Sequence, residues 1–382
     1  MGNQLTKKLR LGVVFGGKSG EHEISARSAA SVIEAIDNKK YDVVPIAISR
    51  EGKWLGPAQA MLLLSQSAQA LLPSRTASSL KHDVAILPDP TQRGLISFDA
   101  NGSGAAESLD VVFPVLHGPF GEDGTIQGLL EMANVPYVGG GVLASSCGMD
   151  KVAMKSLFLQ AGLPLCRYTW FLRKHWEADR QGVTRKVSRE LGWPCFVKPA
   201  NLGSSVGVSK ATDKSSFARA VQLAAQYDRK IIVEEAVDAR EIECAVLGND
   251  EPNASLPGEY VVHDKSAGFL DYTEKYTQTG HVDFVVPAPV SRTLTARIQR
   301  MAISAFQAID GAGLARVDFF LARDGRRLLV NEINTMPGLT EVSGFPKMWA
   351  ASGLSYTAML DRLIELALQR HREKSLNKIT RN

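Results

Sequence analysis

Apolar positions along the chain fall into short continuous runs and longer runs with a period near 3.6, the two signatures of buried strands and amphipathic helices. LGVVFGG (11–17) reads as a strand, ISARSAASVIEAID (24–37) as a helix and YDVVPIAIS (41–49) as a second strand. Residues 58–108 carry only a weak pattern of Ala, Ser, Leu and Pro and no interpretable motif. A strand, LDVVFPVLHG (109–118), follows, and HGPFGEDGTIQGLLEMA (117–133) is a glycine-rich turn feeding a helix that starts near Asp123-Gly124-Thr125. This alternation is that of an α/β sheet.

From about residue 142 the pattern changes. A helix at MDKVAMKSLFLQAG leads to the strand PCFVKPAN, the loop NLGSSVG, a short strand VGVSKAT, and a helix SSFARAVQLAAQY with apolar positions at 217, 220/221 and 224/225. Strands KIIVEEAV and REIECAVLG follow. Residues 263–281 (HDKSAGFLDYTEKYTQTGH) are polar and long for a connection, which marks a functional or disordered loop. The helix RTLTARIQRMAISAFQAI, the strands RVDFFLA and RLLVNEIN, and the helix YTAMLDRLIELALQR close the chain. The pattern predicts an α/β or α+β enzyme-like chain with boundaries near 140 and 238.

Length supports that division, because 382 residues exceed one ordinary core. A hydrophobic content of 45% and a charged content of 22% are those of a globular protein. No apolar run approaches a membrane span, and the first residues lack a signal-peptide pattern. Cys147, Cys166, Cys195 and Cys244 are scattered, with no C-x-x-C pair, which suits free thiols in a reducing cytoplasm. The net charge of +4 is local: the tail RHREKSLNKITRN holds five Lys/Arg against one Glu. A basic tail gives no general case for nucleic-acid binding.

Candidate chemistry sharpens the picture. Gly12 to Ser19 formally match the P-loop pattern, but Gly12 is followed by strand residues Val13, Val14 and Phe15, so its amides cannot curl around a phosphate. The stretch supplies instead a glycine turn followed by Glu21 at a strand-to-helix junction, where ligands bind in α/β sheets or where a surface Glu simply opens a helix. Gly203-Ser204-Ser205-Val206-Gly207 is either an ordinary hairpin turn or a loop whose amides approach an anion. Lys198 lies in the apolar strand FVKP, where a half-buried ammonium needs an anionic partner, and phosphate is a natural one.

The two strands 316–322 and 327–334 allow a geometric expectation. A two-residue loop at Asp324-Gly325 would put Asp318 opposite Asn331 and on the other face from Glu332. An odd loop or a bulge would place Arg316, Asp318, Glu332 and Asn334 on one face. Two carboxylates and an amide oxygen are hard donors that suit Mg²⁺ and its phosphate ligands rather than zinc. An odd loop or a bulge is therefore expected.

The segments GGKSGEHEIS, HGPFGEDGTIQG, MDK, FVKPANLGSSVGVSK, VEEAVDAREIECAVLG, DYTEKY, ARVDFF and NEINTMPG occur in this order. With them the chain resembles the D-alanine–D-alanine ligases of the ATP-grasp superfamily nearly end to end. The resemblance implies a three-domain ATP-grasp fold: a Rossmann-like parallel-sheet domain (1–140), a central subdomain with the glycine-rich loop (141–237) and a C-terminal subdomain with a mobile loop, the Mg site and the basic tail (238–382). It implies that Lys151, Lys198 and Lys275 contact phosphates, with Ser205 and Val206 in the loop that covers them. Glu234, the backbone of Glu235 and Val237, and Glu241 would bind the adenosine. Asp318, Glu332 and Asn334 would hold two Mg²⁺ or Mn²⁺ ions. Glu21 would hold the first D-alanine's ammonium, with Ser204 and Tyr276 in its network. Arg316 and the Gly338 N–H would bind the oxyanion, Ser343 the second carboxylate, and His117 would lie beside the second substrate. After Gly338, LTEVSGFPKMW departs from the commoner form in which the serine is followed by Met-Tyr-Pro.

The implied reaction is ATP-dependent joining of two D-alanines through an acylphosphate, for cell-wall precursor synthesis, in a cytoplasmic and dimeric enzyme with no nucleic-acid or membrane partner. The chemistry suits these side chains, since moving a phosphoryl group between anions calls for cations rather than a nucleophilic Ser or Cys. A ligase joining D-alanine to D-serine or D-lactate is the alternative, although a tyrosine at 276 favours the dipeptide. A nucleotide switch resting on GVVFGGKS and a nonenzymatic binding module are the readings from other classes.

Overall fold

The computed structural model describes residues 7–67, 83–92, 94–98, 104–262 and 282–379. Its first part runs β1 (Leu9–Gly16), α1 (His22–Ala35), β2 (Tyr41–Ile48), β3 (Trp54–Leu55), α2 (Pro57–Ser67), β4 (Val84–Ile86), β5 (Gly94–Phe98), β6 (Gly104–Ser108) and β7 (Val111–Val115). Then come α3 (Thr125–Met132) and α4 (Val142–Met149). β1 lies between β2 and β7, parallel to both, and β3 closes one edge. Leu11, Val13 and Phe15 of β1 point into one core and Val14 into another. A parallel strand buried on both faces must be apolar throughout, which is why LGVVFGG reads as a continuous run.

Gly12 sits in the middle of β1, so the P-loop reading is excluded by the backbone itself. The weakly patterned stretch 58–108 is structured where it is described: α2 buries Ala60 and Leu64, and β4, β5 and β6 form a three-stranded antiparallel sheet. Val84, Ile86 and Leu95 from that sheet cover the β1 face that holds Val14. Its strands are three to five residues long, too short for alternation to show.

The middle of the chain contains α5 (Lys151–Gln160), β8 (Tyr168–Leu172), α6 (Arg173–Ala178), α7 (Arg180–Glu190), β9 (Cys195–Pro199), β10 (Ser209–Ala211), α8 (Lys214–Tyr227) and β11 (Lys230–Glu235). The strands form an antiparallel sheet in the order β10-β9-β11-β8. Cys195, Val197, Ile231 and Val233 face the helices, where Phe217, Ala220, Val221 and Ala224 of α8 meet them at the spacing expected from sequence. The intervening positions, Lys198 and Glu234, therefore share the opposite face.

The last part is β12 (Ala239–Gly248), β13 (Asn253–Ala254), β14 (Gly258–Val262), β15 (Val282–Val285), α9 (Arg292–Ala308), β16 (Gly313–Ala322), β17 (Leu328–Asn334), α10 (Gly344–Ala351) and α11 (Tyr356–Lys374). The antiparallel order is β15-β14-β12-β16-β17.

The β16–β17 hairpin resolves the register question. Asp318 faces Glu332 and Arg316 faces Asn334, but beyond Asp318 the pairing shifts, and Phe319 faces Val330. Asn331 is the extra residue, so a bulge places the four polar side chains on one face. The bulge stands in the strand rather than at the turn. Nearer the turn the register is the even one: Ala322 N–H donates to Arg327 O at 2.9 Å, with Gly325 left-handed at φ +71°. Among the described residues no helix is long and apolar enough to cross a membrane.

Candidate active site

Glu21 ends the turn between β1 and α1, and His117 and Gly118 follow β7, so the parallel sheet aims both turns the same way. Ser19 Oγ ties them by donating to His117 O at 2.9 Å and accepting from Glu21 N–H at 3.2 Å. Gly118 must be glycine: its φ is +74° and a Cβ there would lie 2.6 Å from Glu21 Oε2. His117 is buried, with Nδ1 3.0 Å from Met336 O and Nε2 3.3 Å from Ser28 Oγ. The carbonyl requires a proton on Nδ1, which leaves Nε2 to accept from the serine. Burial lowers the His117 pKa, against the opposing pull of Glu21, and keeps the ring neutral. Glu122 accepts from Gly118 N–H at 2.7 Å and Met336 N–H at 3.3 Å; burial and then the nearby Glu21 carboxylate push its pKa up to about 8.

The loop between β9 and β10 reaches this end of the sheet. Ser204 and Ser205 are left-handed, at φ 52° and 57°, and Ser204 Oγ donates to Glu21 Oε1. Two consecutive non-glycine residues in that region are strained, which fits a loop shaped for a ligand.

Across the loop lies a buried charge cluster. Glu234, 2% exposed, is held between two ammonium groups, Lys155 Nζ at 2.9 Å from Oε1 and Lys198 Nζ at 2.7 Å from Oε2. Desolvation works against the Glu234 carboxylate, but the two lysines outweigh it and bring its pKa down to about 2. Glu234 reciprocally raises the pKa of both lysines despite their burial. The anion expected for Lys198 is thus supplied by the chain. Lys151 Nζ donates to Leu202 O at 2.7 Å and stands 3.6 Å from Glu332 Oε2.

The third sheet contributes a row of carboxylates, Glu243 on β12 facing Asp318 on β16, which faces Glu332 on β17. Arg316 binds Asp318 through Nε and Nη2, both at 2.7 Å, and its Nε is 3.2 Å from Glu243 Oε1. Asn334 Nδ2 donates to Asp318 Oδ2 at 3.1 Å. Opposed like charges on one face repel, and Arg316 between Glu243 and Asp318 and Lys151 beside Glu332 offset part of that repulsion. Asp318, Glu332 and the amide oxygen of Asn334 are the hard donors a magnesium-class ion takes, so the residues fit such an ion. Among the described residues no group of three or more His, Cys, Asp or Glu forms a metal cluster.

Glu21, His117, Ser204, Ser205, Arg316, Glu332, Asn334 and Gly338 line one cavity. Ser343 lies outside that lining, at the residue before α10 without a side-chain bond to the helix, its Oγ 2.6 Å from Thr340 Oγ1. The Glu235 side chain turns to Arg167 and Arg327, at 2.9 and 3.3 Å. Val237 lies in the connection after β11, Glu241 on β12, and Val206 is exposed beside the loop serines. Lys275 and Tyr276 lie outside the described residues. Sequence reasoning missed Lys155, Glu122 and Glu243. Lys155 follows Lys151 by four residues on one helix, and Glu243 follows Glu241 by two on one strand, so each shared a face with a residue already singled out.

Two antiparallel sheets enclosing a lysine–carboxylate cluster, with a parallel sheet closing the cavity, are the architecture of ATP-grasp ligases. Comparison with known proteins narrows the class. The family models "D-ala D-ala ligase N-terminus" and "D-ala D-ala ligase C-terminus" match residues 10–140 and 157–365. The D-alanine--D-alanine ligase of Bacillus cytotoxicus is 46% identical over 98% of this chain and 99% of its own length. The structure of the D-alanine-D-alanine ligase from Coxiella burnetii superposes with a TM-score of 0.81 at 35% identity, covering 97% of both chains. VanG D-Ala:D-Ser ligase from Enterococcus faecalis gives the same TM-score and identity over 94% of this chain and all of that one. The chain belongs to the D-alanine–D-alanine ligase family.

Proposed function

We propose that this chain joins two D-alanine molecules into D-alanyl-D-alanine, using ATP and releasing ADP and phosphate, in the supply of cell-wall precursors. The observation that carries this reading is the single cavity where Glu21 and His117 of the parallel sheet meet Ser204, Arg316, Glu332, Asn334 and Gly338. Glu21, positioned by Ser204 and completed by Tyr276, holds the ammonium of the first D-alanine. Lys151, Lys198 and Lys275 receive the phosphates under the Ser205–Val206 loop. Glu234, the backbone of Glu235 and Val237, and Glu241 hold the adenosine.

Asp318, Glu332 and Asn334 hold the divalent cations, Mg²⁺ or Mn²⁺, which when bound supply charge neutralisation at the phosphates. Arg316 and the Gly338 N–H face the oxyanion formed when the second amine attacks. His117 stays neutral beside that amine and adds no repulsion to it, and Ser343 takes the second carboxylate. The chain divides into functional units 1–140, 141–237 and 238–382, and works as a cytoplasmic homodimer on small molecules.

The test is ADP and phosphate release by the purified protein with ATP, Mg²⁺ and D-alanine, and identification of the dipeptide. D-Alanine is expected to be preferred over D-serine and D-lactate as acceptor near neutral pH. Phosphate release that does not depend on D-alanine would sink the proposal.

A further inference from the structure

Lys155 is fully buried and absent from the cavity lining, and beyond its ion pair with Glu234 it has been given no part in binding. Its Nζ lies 2.9 Å from Glu234 Oε1 and donates at 3.0 Å to the carbonyl of Asn331. Asn331 is the bulged residue of β17, adjacent to Glu332 and opposite the register shift at Asp318. A bulge leaves backbone groups outside the strand ladder, and a buried carbonyl without a donor is costly. The ammonium fills that need, and its own burial is offset by the Glu234 carboxylate.

We propose that Lys155 is a positioning residue that locks the Asn331 bulge, and with it the facing Asp318 and Glu332, to the nucleotide-binding carboxylate Glu234. One ammonium joins the strand end assigned to the adenosine, on β11, to the strand end assigned to the divalent cation, on β17. The two sheets meet at this point, so the spacing between nucleotide and cation donors is set by a side chain of α5. The inference rests on the proposed assignment of Glu234 to the nucleotide and of Asp318 and Glu332 to the cation.

The test is calorimetric binding of ADP, with and without Mg²⁺, to the wild-type protein and to Lys155→Met. Wild type is expected to bind ADP more tightly with Mg²⁺, and Lys155→Met to lose at least tenfold of that enhancement. D-Alanine binding to the same samples is expected to change less than twofold. Deletion of Asn331 provides a second variant, since it restores a regular pairing with Glu332 still opposite Asp318 but removes the carbonyl that Lys155 holds. It is expected to reduce the Mg²⁺ enhancement too, and adding Lys155→Met to it should reduce the enhancement little further. Loss of all binding in proportion to a fallen melting temperature, or an unchanged Mg²⁺ enhancement in Lys155→Met, overturns the inference. If the lysine variant does not fold, an unchanged Mg²⁺ enhancement in the Asn331 deletion decides against the inference. Absence of Mg²⁺-dependent ADP binding in the wild type overturns instead the functional reading on which it rests.

Discussion

Two buried carboxyl groups, one in the cavity lining and one in the neighbouring lysine cluster, carry opposite electrostatic solutions to burial. Glu234 is kept ionised by two lysines, whereas Glu122, beside Glu21, has its pKa raised to about 8. A carboxyl whose folded pKa lies above its ordinary value of 4.5 stabilises most below 4.5, and that stability is lost as pH rises through about 8. His117 has the opposite sign: its folded pKa is lowered from 6.5, so its contribution is present above 6.5 and falls away in acid. The interval from 6.5 to 8 therefore isolates Glu122. Glu122→Gln stays neutral throughout, and urea unfolding over that interval should show the wild type losing up to about 1.4 kcal/mol per pH unit relative to the variant. Parallel stability curves would remove the assignment. Neither pKa was readable from sequence. HGPFGEDG shows Glu122 next to a turn, but its partners Glu21 and Met336 come from distant segments.

At the scale of elements, spacing was legible wherever a face was apolar and continuous. The buried face of α8 follows the expected positions, and the continuous run in β1 reflects a strand covered on both sides. The bulge in β17 had a signal too. Leu328, Val330 and Ile333 all face one core, and the step from two residues to three between the last two marks the extra residue. Attention to the Asp324-Gly325 turn placed the irregularity too early. The serine loop invites a comparison of two substitutions. Left-handed backbone costs a non-glycine residue roughly 1–2 kcal/mol, and glycine returns part of that as unfolded-state entropy. The backbone effects of Ser204→Gly and Ser205→Gly should therefore be similar, less than about 1 kcal/mol in either direction, and Ser204→Gly should cost more in stability only through the side-chain bond it loses. Only Ser204→Gly removes the hydrogen bond to Glu21, a bond to a charged acceptor of about 1.5–3 kcal/mol, so it should raise the D-alanine KM about tenfold or more. Equal KM values in the two variants would show that the Glu21 contact does not position substrate.

For the whole molecule, chain order and packing diverge at α11. The proposed division puts this helix with the last unit, yet Met359, Leu360, Leu363 and Ile364 share one core with Leu11, Val13, Phe15, Val111 and Phe113 of the first sheet. The same core holds Ala245, Leu247 and Leu314 of the third sheet, so the helix wedges the two sheets together. Periodicity announced α11 as amphipathic, but nothing local states which distant surface its apolar stripe covers. Around that core, Arg370 stacks on Tyr137 with its guanidinium 4.4 Å from the ring centroid and donates to Tyr137 O at 3.2 Å. Lys374 pairs with Glu131 at the surface, where an ion pair contributes at most about 1 kcal/mol. Leu363→Ala opens the shared core and should cost about 2–5 kcal/mol, against less than about 1 kcal/mol for Lys374→Ala. Because the core spans both sheets, calorimetry of Leu363→Ala should show the first and third sheets melting together at a lower temperature. A transition of the first sheet left at its wild-type temperature would mean that the sheet does not depend on α11. Substrate binding at Glu21 and cation binding at Asp318 would then rest on separately stable bodies rather than on one shared core.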